Sequence, residues 1–333
     1  MKREPPRQPK RLPPLLCKEG NLWVPLMLAI LVFAGCRSGA TNSKVANSVI
    51  STAPMRVVTD DLGRSVTIPV KVTRIISLAP NLTENIFAVG AGDRLVGVTT
   101  FCNYPEQAKE IAKIGDTMTP NMESIVALKP DVVFVSTASQ IEAFMKTLDA
   151  NGIAVYVTNP NSLDGVLKNL KQLGELFETQ DTADKLVADL ERRVENARCI
   201  DIRACGTVAP FGRKLESPTR VFVQISKEPL FTIGKQSFLT DLIGMTYAES
   251  VTKDIESAYP KLSKETAATL NPEAIILSES DDNKEPNEVF KNSPAVKNGR
   301  VYKVSADLLS RPGPRLVDAL EQIARDLHPE KFK

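Results

Sequence analysis

The stretch NMESIVALKPDVVFV (121–135) decides the fold, because a degraded copy of it, SKETAATLNPEAIIL (263–277), returns 142 residues later. In each copy a polar residue able to cap a helix, Asn121 or Ser263, opens a short helix. A proline, Pro130 or Pro272, forbids its continuation, and an apolar run follows as a strand. Each copy also places a glutamate, Glu123 or Glu265, in the first helical turn, where the helix dipole favours negative charge by about 0.3 to 1 kcal/mol. A separation of 142 residues is the size of one domain. The repeat therefore predicts two similar α/β lobes, each showing one acidic knob. The plainer reading is that helix-proline-strand units recur in any α/β protein and that the glutamates only complement dipoles.

Working outward, the pattern alternates strand and helix on both sides of each copy. Residues 56–69 alternate around Asp60-Asp61-Leu62-Gly63-Arg64, which suits a hairpin with Gly63 in the turn, placed as a lid on the first lobe. Strands are predicted over 74–78, 95–100 and 153–158, with helices over 80–90, 105–111 and 140–150. A second alternation has strands over 220–225 and 300–304 and helices over 236–243 and 314–327. Such alternation argues for parallel sheets covered on both faces. Between the halves, 162–177 and 181–198 read as helices, and 200–217, rich in Gly, Pro and Arg, as a loop. At 1.5 Å per residue the second helix extends about 27 Å, enough to bridge two lobes, although one more amphipathic surface helix fits the same pattern.

A length of 333 residues and a hydrophobic fraction of 42% suit two domains with real cores. The formal charge of +2 is misleading, because residues 1–35 hold six Lys/Arg against two acids. Taking these from the totals of 42 and 40 leaves 36 basic and 38 acidic residues, so nothing points to electrostatic binding of nucleic acid. Those first 35 residues read as an export signal: a basic n-region, then an apolar run over 22–34 too short to span a bilayer comfortably. Phe33-Ala34-Gly35-Cys36 resembles a bacterial lipobox, with Cys36 as the lipidated residue, and plain secretion is the alternative. Residues 36–55 are small and polar, the composition of a flexible tether. Cys199 and Cys205 either close a small disulfide in an oxidising compartment or stand as two inert thiols, and Cys102 is expected as a buried or pocket-wall thiol.

Catalysis and metal binding are constrained by a single histidine, His328, at the end of the last predicted helix. A Ser-His-Asp hydrolase or a histidine zinc site needs an imidazole inside a cleft. Neither G-x-G-x-x-G after a strand nor a phosphate-binding G-x-x-x-x-G-K-[ST] loop is present. Ligands of parallel α/β sheets bind beyond the carboxyl ends of strands, so the loops there are the candidate walls. They carry Pro80, Asn81, Phe101, Tyr104, Ser136, Phe231, Tyr259 and Arg311. Four of these offer flat apolar surface and Arg311 a fixed charge; singly, each has packing as its plainer explanation.

Five segments occurring in order, RIISLAPNLTEN (74–85), VGVTTFCNYPEQA (96–108), NMESIVALKPDVVF (121–134), PLFTIGKQSFLTDLIGM (229–245) and SRPGPRLVDAL (310–320), together resemble the periplasmic substrate-binding proteins for cobalamin and ferric siderophores, closest to the cobalamin-binding members. The resemblance covers nearly everything from Arg56 to Leu327. It implies two Rossmann-like α/β lobes, 56–180 and 199–333, with mostly parallel sheets joined by one rigid helix at 181–198. It implies no enzymatic activity and no cofactor of its own; the alternative of another class is an extracytoplasmic enzyme on the same two-lobe scaffold. The implied partners are a metal-chelate ligand and an ABC permease dimer with its ATPase, with Glu123 and Glu265 docking onto arginine pockets of the two permease subunits. The implied state is a monomer, extracytoplasmic and anchored to the membrane by lipid.

Carried over position by position, the resemblance puts Pro80, Phe101, Tyr259 and Arg311 at the ligand. The cobalamin-binding members have clefts rich in tryptophan, whereas the only tryptophan here is Trp23, inside the signal, and Thr117 and Ser136 stand where indoles are expected. An anionic ferric chelate needs cations, for which Arg311, Lys227 and Lys235 are the candidates; haem has Tyr104 or Tyr259 as a conceivable axial ligand.

Overall fold

The computed structural model describes residues 54–136, 141–198 and 217–332, without side chains at 141–144. The signal, most of the tether with Cys36, Thr137, the 200–216 loop and the pair Cys199 and Cys205 lie outside the described residues.

The chain opens on an antiparallel hairpin, β1 (Met55–Thr59) and β2 (Ser65–Pro69), whose turn needs Gly63 at φ +75°. The Asp60 carboxylate accepts hydrogen bonds from the Leu62 and Arg64 amides at 3.0 and 2.9 Å and pairs with the Arg64 guanidinium at 2.6 Å. Burial raises the Asp60 carboxyl, and the bonds from Arg64 and from the Val157 amide outweigh it, holding the group below the usual carboxylate range.

Next come β3 (Ile75–Ser77), α1 (Pro80–Ala88), β4 (Leu95–Val98), α2 (Met122–Ala127), β5 (Val132–Ser136), α3 (Ile141–Ala150) and β6 (Ala154–Thr158). Their four strands form one parallel sheet ordered β4-β3-β5-β6. The hairpin, expected as a lid on the first lobe, covers the outer edge of that lobe's sheet. It is bound along the outer strand β6, where Asp61 N–H donates to the Val157 carbonyl at 3.1 Å and Tyr156 O–H to the Thr59 carbonyl at 3.2 Å. Burial and the Asp61 and Asp60 charges push the Tyr156 phenol up to about 12. The edge strand is thereby covered rather than left open. The predicted helix at 105–111 is a 3-10 turn, Glu106–Glu110.

Two antiparallel helices follow, α4 (Leu163–Phe177) and α5 (Gln180–Arg198). The Ser162 hydroxyl caps the first by accepting from the Gly165 amide, and Glu178 in the left-handed conformation ends it. The second half repeats the first: β7 (Thr219–Gln224), α6 (Phe238–Gly244), β8 (Ala248–Ser250), α7 (Lys264–Leu270), β9 (Ala274–Glu279), α8 (Pro294–Lys297), β10 (Val301–Ser305), α9 (Ala306–Ser310) and α10 (Leu316–Leu327). Its strands are also parallel and ordered β8-β7-β9-β10. Numbered within their own sheets, both orders are second-first-third-fourth.

The repeat extends to details. Lys129 and Asn271 both adopt the left-handed conformation, at φ +46°, just before the two prolines. Arg74 donates to the Leu128 carbonyl and Arg220 to the Leu270 carbonyl, each at 2.6 Å, so an arginine entering the first strand of each sheet caps the C-terminus of the knob helix. Asp131 and Glu273 answer by accepting from the Arg74 and Arg220 amides at 2.9 Å.

Helix α5 buries one stripe, Ala183, Val187, Leu190, Val194 and Ala197, at helical spacing. That stripe belongs to a continuous apolar core holding Ile75, Phe134 and Leu170 from the first lobe and Val221, Ile276 and Leu320 from the second. Arg193 clamps the helix to α10, donating to Glu321 at 2.9 and 2.8 Å and to Asp318 at 2.6 Å. The two sheets are therefore joined by a long helix that shares its buried face with both. Separate satellite cores, one around Ile125 and Val133 and one around Phe222 and Phe290, complete the lobes.

Candidate functional site between the lobes

Helix α1 begins directly after β3, with Pro80 at its first turn, where a missing N–H costs nothing. Leu82 and Ile86 bury toward the first-lobe core, while Asn81, Glu84 and Asn85, at positions i, i+3 and i+4, form a second buried stripe that is polar. This stripe meets the segment after α9. The Arg311 guanidinium, whose side chain is 10% exposed, donates to Glu84 at 2.7 Å and Asn103 at 2.8 Å from the first lobe. Its other nitrogen donates to Asp307 at 2.6 Å. Arg315 reaches the same Glu84 oxygen at 3.3 Å and stacks on the Tyr104 ring, 4.1 Å from its centroid. Asn103 closes the ring by donating to Asp307 at 3.2 Å.

Gly313 lets the backbone approach α1 closely, because an added Cβ lies 2.8 Å from Asn85 Oδ1. Burial raises the Glu84 carboxyl above its ordinary range, and the guanidinium groups of Arg311 and Arg315 work against that rise. Removing one member of a buried ion pair of this kind costs about 3 to 5 kcal/mol, because the other charge is left unpaired. Several polar atoms in the seam have no hydrogen-bond partner: Asn81 Nδ2, Glu84 Oε2 and both side-chain atoms of Asn85.

The sequence-derived residues fall on strand ends and loops of both lobes. Phe101 and Tyr104 follow β4 and are 59% and 47% exposed. Ser136 is the last residue of β5. Phe231 is half-buried beyond β7, paired in short bridges with Ser226 and Lys261. Tyr259, 42% exposed, precedes α7; burial raises its phenol and Ser237 works against that rise. Arg311 and Tyr104 are thus drawn into one network, Asn81 shares the buried face of α1 with Glu84, and Phe231 and Tyr259 stay on the second lobe's own loops. The charge expected of Arg311 is not free: it is committed to Glu84, Asp307 and Asn103. Lys227 and Lys235 are likewise paired, with Glu285 at 3.5 Å and Glu256 at 2.5 Å.

Four participants escaped the sequence reading: Glu84, Asn103, Asp307 and Arg315. The polar stripe on α1 was the available signal, since Asn81, Glu84 and Asn85 share one face of an otherwise apolar helix. Met118, 47% exposed, was also missed. It sits on a turn held by Asp116, which accepts from the Met118 and Thr119 amides at 2.7 and 2.6 Å. The Thr100–Gly115 hydrogen bond of 2.9 Å keeps that turn beside Phe101. Cys102 is buried, as expected, between the Thr83 and Thr99 hydroxyls at 3.1 and 3.2 Å. His328 sits beside the Thr246 carbonyl at 2.8 Å, at the end of α10. Among the described residues no group of His, Cys, Asp and Glu is arranged to hold a metal ion.

Residues 75–308 match the family model of the periplasmic binding proteins. The chain belongs to this family of ABC substrate-binding proteins. The binding protein is 31% identical to an uncharacterized ABC transporter substrate-binding lipoprotein, YvrC, of Bacillus subtilis (strain 168), over 95% of this chain and 99% of that one. Its fold is similar to the crystal structure of the periplasmic vitamin B12 binding protein BtuF of Vibrio cholerae, at a TM-score of 0.64 and 27% identity, covering 79% of this chain and 99% of that one. It is equally similar, at a TM-score of 0.64 and 29% identity, to a possible iron-binding periplasmic solute-binding protein of Staphylococcus epidermidis, covering 78% and 99%. The family consists of transport proteins without enzymatic activity, and the binding protein is not an enzyme. An ABC substrate-binding protein works with a small ligand, a permease and an ATPase.

Proposed function

We propose that this binding protein captures a metal chelate, foremost a corrinoid such as cobalamin, between its two lobes and delivers it to an ABC permease dimer. The observation that carries this reading is the exposure of three large aromatics on loops of the two lobes, Phe101 and Tyr104 after β4 and Tyr259 before α7, with Tyr104 stacked against Arg315 of the seam. Large flat apolar groups left in water fit a ligand with broad apolar faces, since burial returns roughly 25 cal/mol per Å2. Met118 adds a thioether to the same rim, where the chain lacks the tryptophans expected of cobalamin clefts. Pro80, Asn81, Ser136, Phe231 and Arg311 complete the proposed walls. The names of the relatives, one a vitamin B12 binding protein and one a possible iron-binding protein, support the chelate class.

The same reading assigns 1–35 to an export signal, 36–55 to a tether beginning at lipidated Cys36, 56–180 and 199–333 to the lobes and 181–198 to the linking helix. The lipoprotein assignment follows the relative from Bacillus subtilis. Glu123 and Glu265 are both exposed in the first turns of α2 and α7, the helices that feed the third strand of each sheet. They are the proposed contacts with the permease, one per lobe, and a two-fold permease accounts for their duplication.

The absorption spectrum of the full protein purified in detergent from its own host tests the ligand class. A corrinoid spectrum is the expected result. A haem Soret band or a ferric charge-transfer band in its place moves the assignment to the other chelates of the class, and a colourless protein that stays colourless when corrinoid, haem and ferric chelate are supplied removes it.

A further inference from the structure

The seam holds two carboxylates, Glu84 and Asp307, and two guanidinium groups, Arg311 and Arg315, within direct contact of one another. The formal charges sum to zero. Glu84 is the common member, because one of its oxygens takes both arginines. It is also the most deeply buried of the four, at 2% side-chain exposure. The other cations considered for ligand contact, Lys227 and Lys235, already face Glu285 and Glu256. Around this balanced cluster the unpaired atoms are neutral donors and acceptors, Asn81 Nδ2 and both side-chain atoms of Asn85, together with the second Glu84 oxygen.

We infer that Glu84 is a specificity-determining residue: by neutralising Arg311 and Arg315 across the seam, it makes the cleft favour electrically neutral chelates over anionic ones. This rests on the proposed capture of a chelate between the lobes. An anionic ligand approaching Arg311 has to displace a carboxylate already held at 2.7 Å, and it meets the displaced Glu84 carboxylate as a like charge. A neutral ligand meets neither obstacle. Asp307 contributes in the same sense but less strongly, being 38% exposed and screened by solvent.

The test is calorimetric titration of the full protein, in detergent, with three probes: cyanocobalamin, a neutral ferric trishydroxamate and an anionic ferric triscatecholate. The unchanged protein is expected to prefer the neutral member of the ferric pair. Glu84→Gln keeps the shape and leaves one uncompensated cation, so the affinity ratio of triscatecholate to trishydroxamate rises about tenfold or more. Asp307→Asn, at a more exposed position, raises the same ratio roughly threefold and reads out the idea if the Glu84 variant does not fold. An unchanged ratio in the variants that fold, or an unchanged protein that already prefers the triscatecholate, overturns the assignment. Binding of none of the three probes by the unchanged protein defeats the underlying chelate reading, and this assignment with it.

Discussion

Replacing Glu123 and Glu265 together by alanine reduces import about tenfold or more, while calorimetric titration of the same variant with its chelate stays unchanged. Both carboxylates are solvent-exposed, and α2 and α7 are held independently of them by the Asn121 and Ser263 caps and by Arg74 and Arg220. Glu265 accepts from its own amide and from Ser263, which keep its carboxyl below the usual range and ionised at neutral pH. Exposed ion pairs are worth about 0.2 to 1 kcal/mol each, so either single change lowers import only about two- to fivefold. The double change removes both contacts of a symmetric complex. A parallel loss of ligand affinity in the double variant places the glutamates in the ligand site instead and ends the docking assignment.

The second large effect is on stability. Leu190 lies 2% exposed in the middle of the α5 stripe, in the core shared by both lobes. Leu190→Ala should cost about 2 to 5 kcal/mol, from lost burial plus the cavity left behind. For a chain of this size that lowers Tm by roughly 5 to 15 °C. Because residues 51–333 form one compact unit, differential scanning calorimetry should show a single transition moving as a whole. Two separated transitions, only one of them shifted, contradict a shared core. The same continuity limits the lobes to modest relative motion, since opening them widely means breaking a packed core and a continuous helix rather than bending an extended hinge.

Much of this architecture was readable in advance because its signals are local. Pro130 and Pro272 stop their helices whatever surrounds them, Gly63 is required by its turn, and the 162–177 and 181–198 stripes carry their own periodicity. Three features were not readable. Strand β8 is three residues long and carries Glu249 and Ser250, too short and polar to show alternation. The Pro105 segment lacks the apolar stripe that would anchor a full helix, and it winds as a 3-10 turn. The 306–327 region splits into α9 and α10 around Arg311-Pro312-Gly313-Pro314.

The positions of the aromatic loops beyond the strands follow from topology, but the partners of Arg311 do not. Glu84 lies 227 residues away in sequence, and nothing local marks a salt bridge that forms only when two lobes close on each other. Arg311 looked like a free cation for that reason, and the balanced charge of the seam emerges only in three dimensions.

The central claim is that one flat metal chelate lies between the aromatic loops of the two lobes. Its most direct measurement is a calorimetric titration with cyanocobalamin, comparing the unchanged protein with a variant carrying Phe101→Ala and Tyr259→Ala, one change in each lobe. The account predicts saturable binding of one corrinoid per chain, weakened about a hundredfold in the double variant by the loss of two aromatic faces, at roughly 0.5 to 1.5 kcal/mol each beyond their buried area. Saturable binding that the double variant leaves untouched would contradict it.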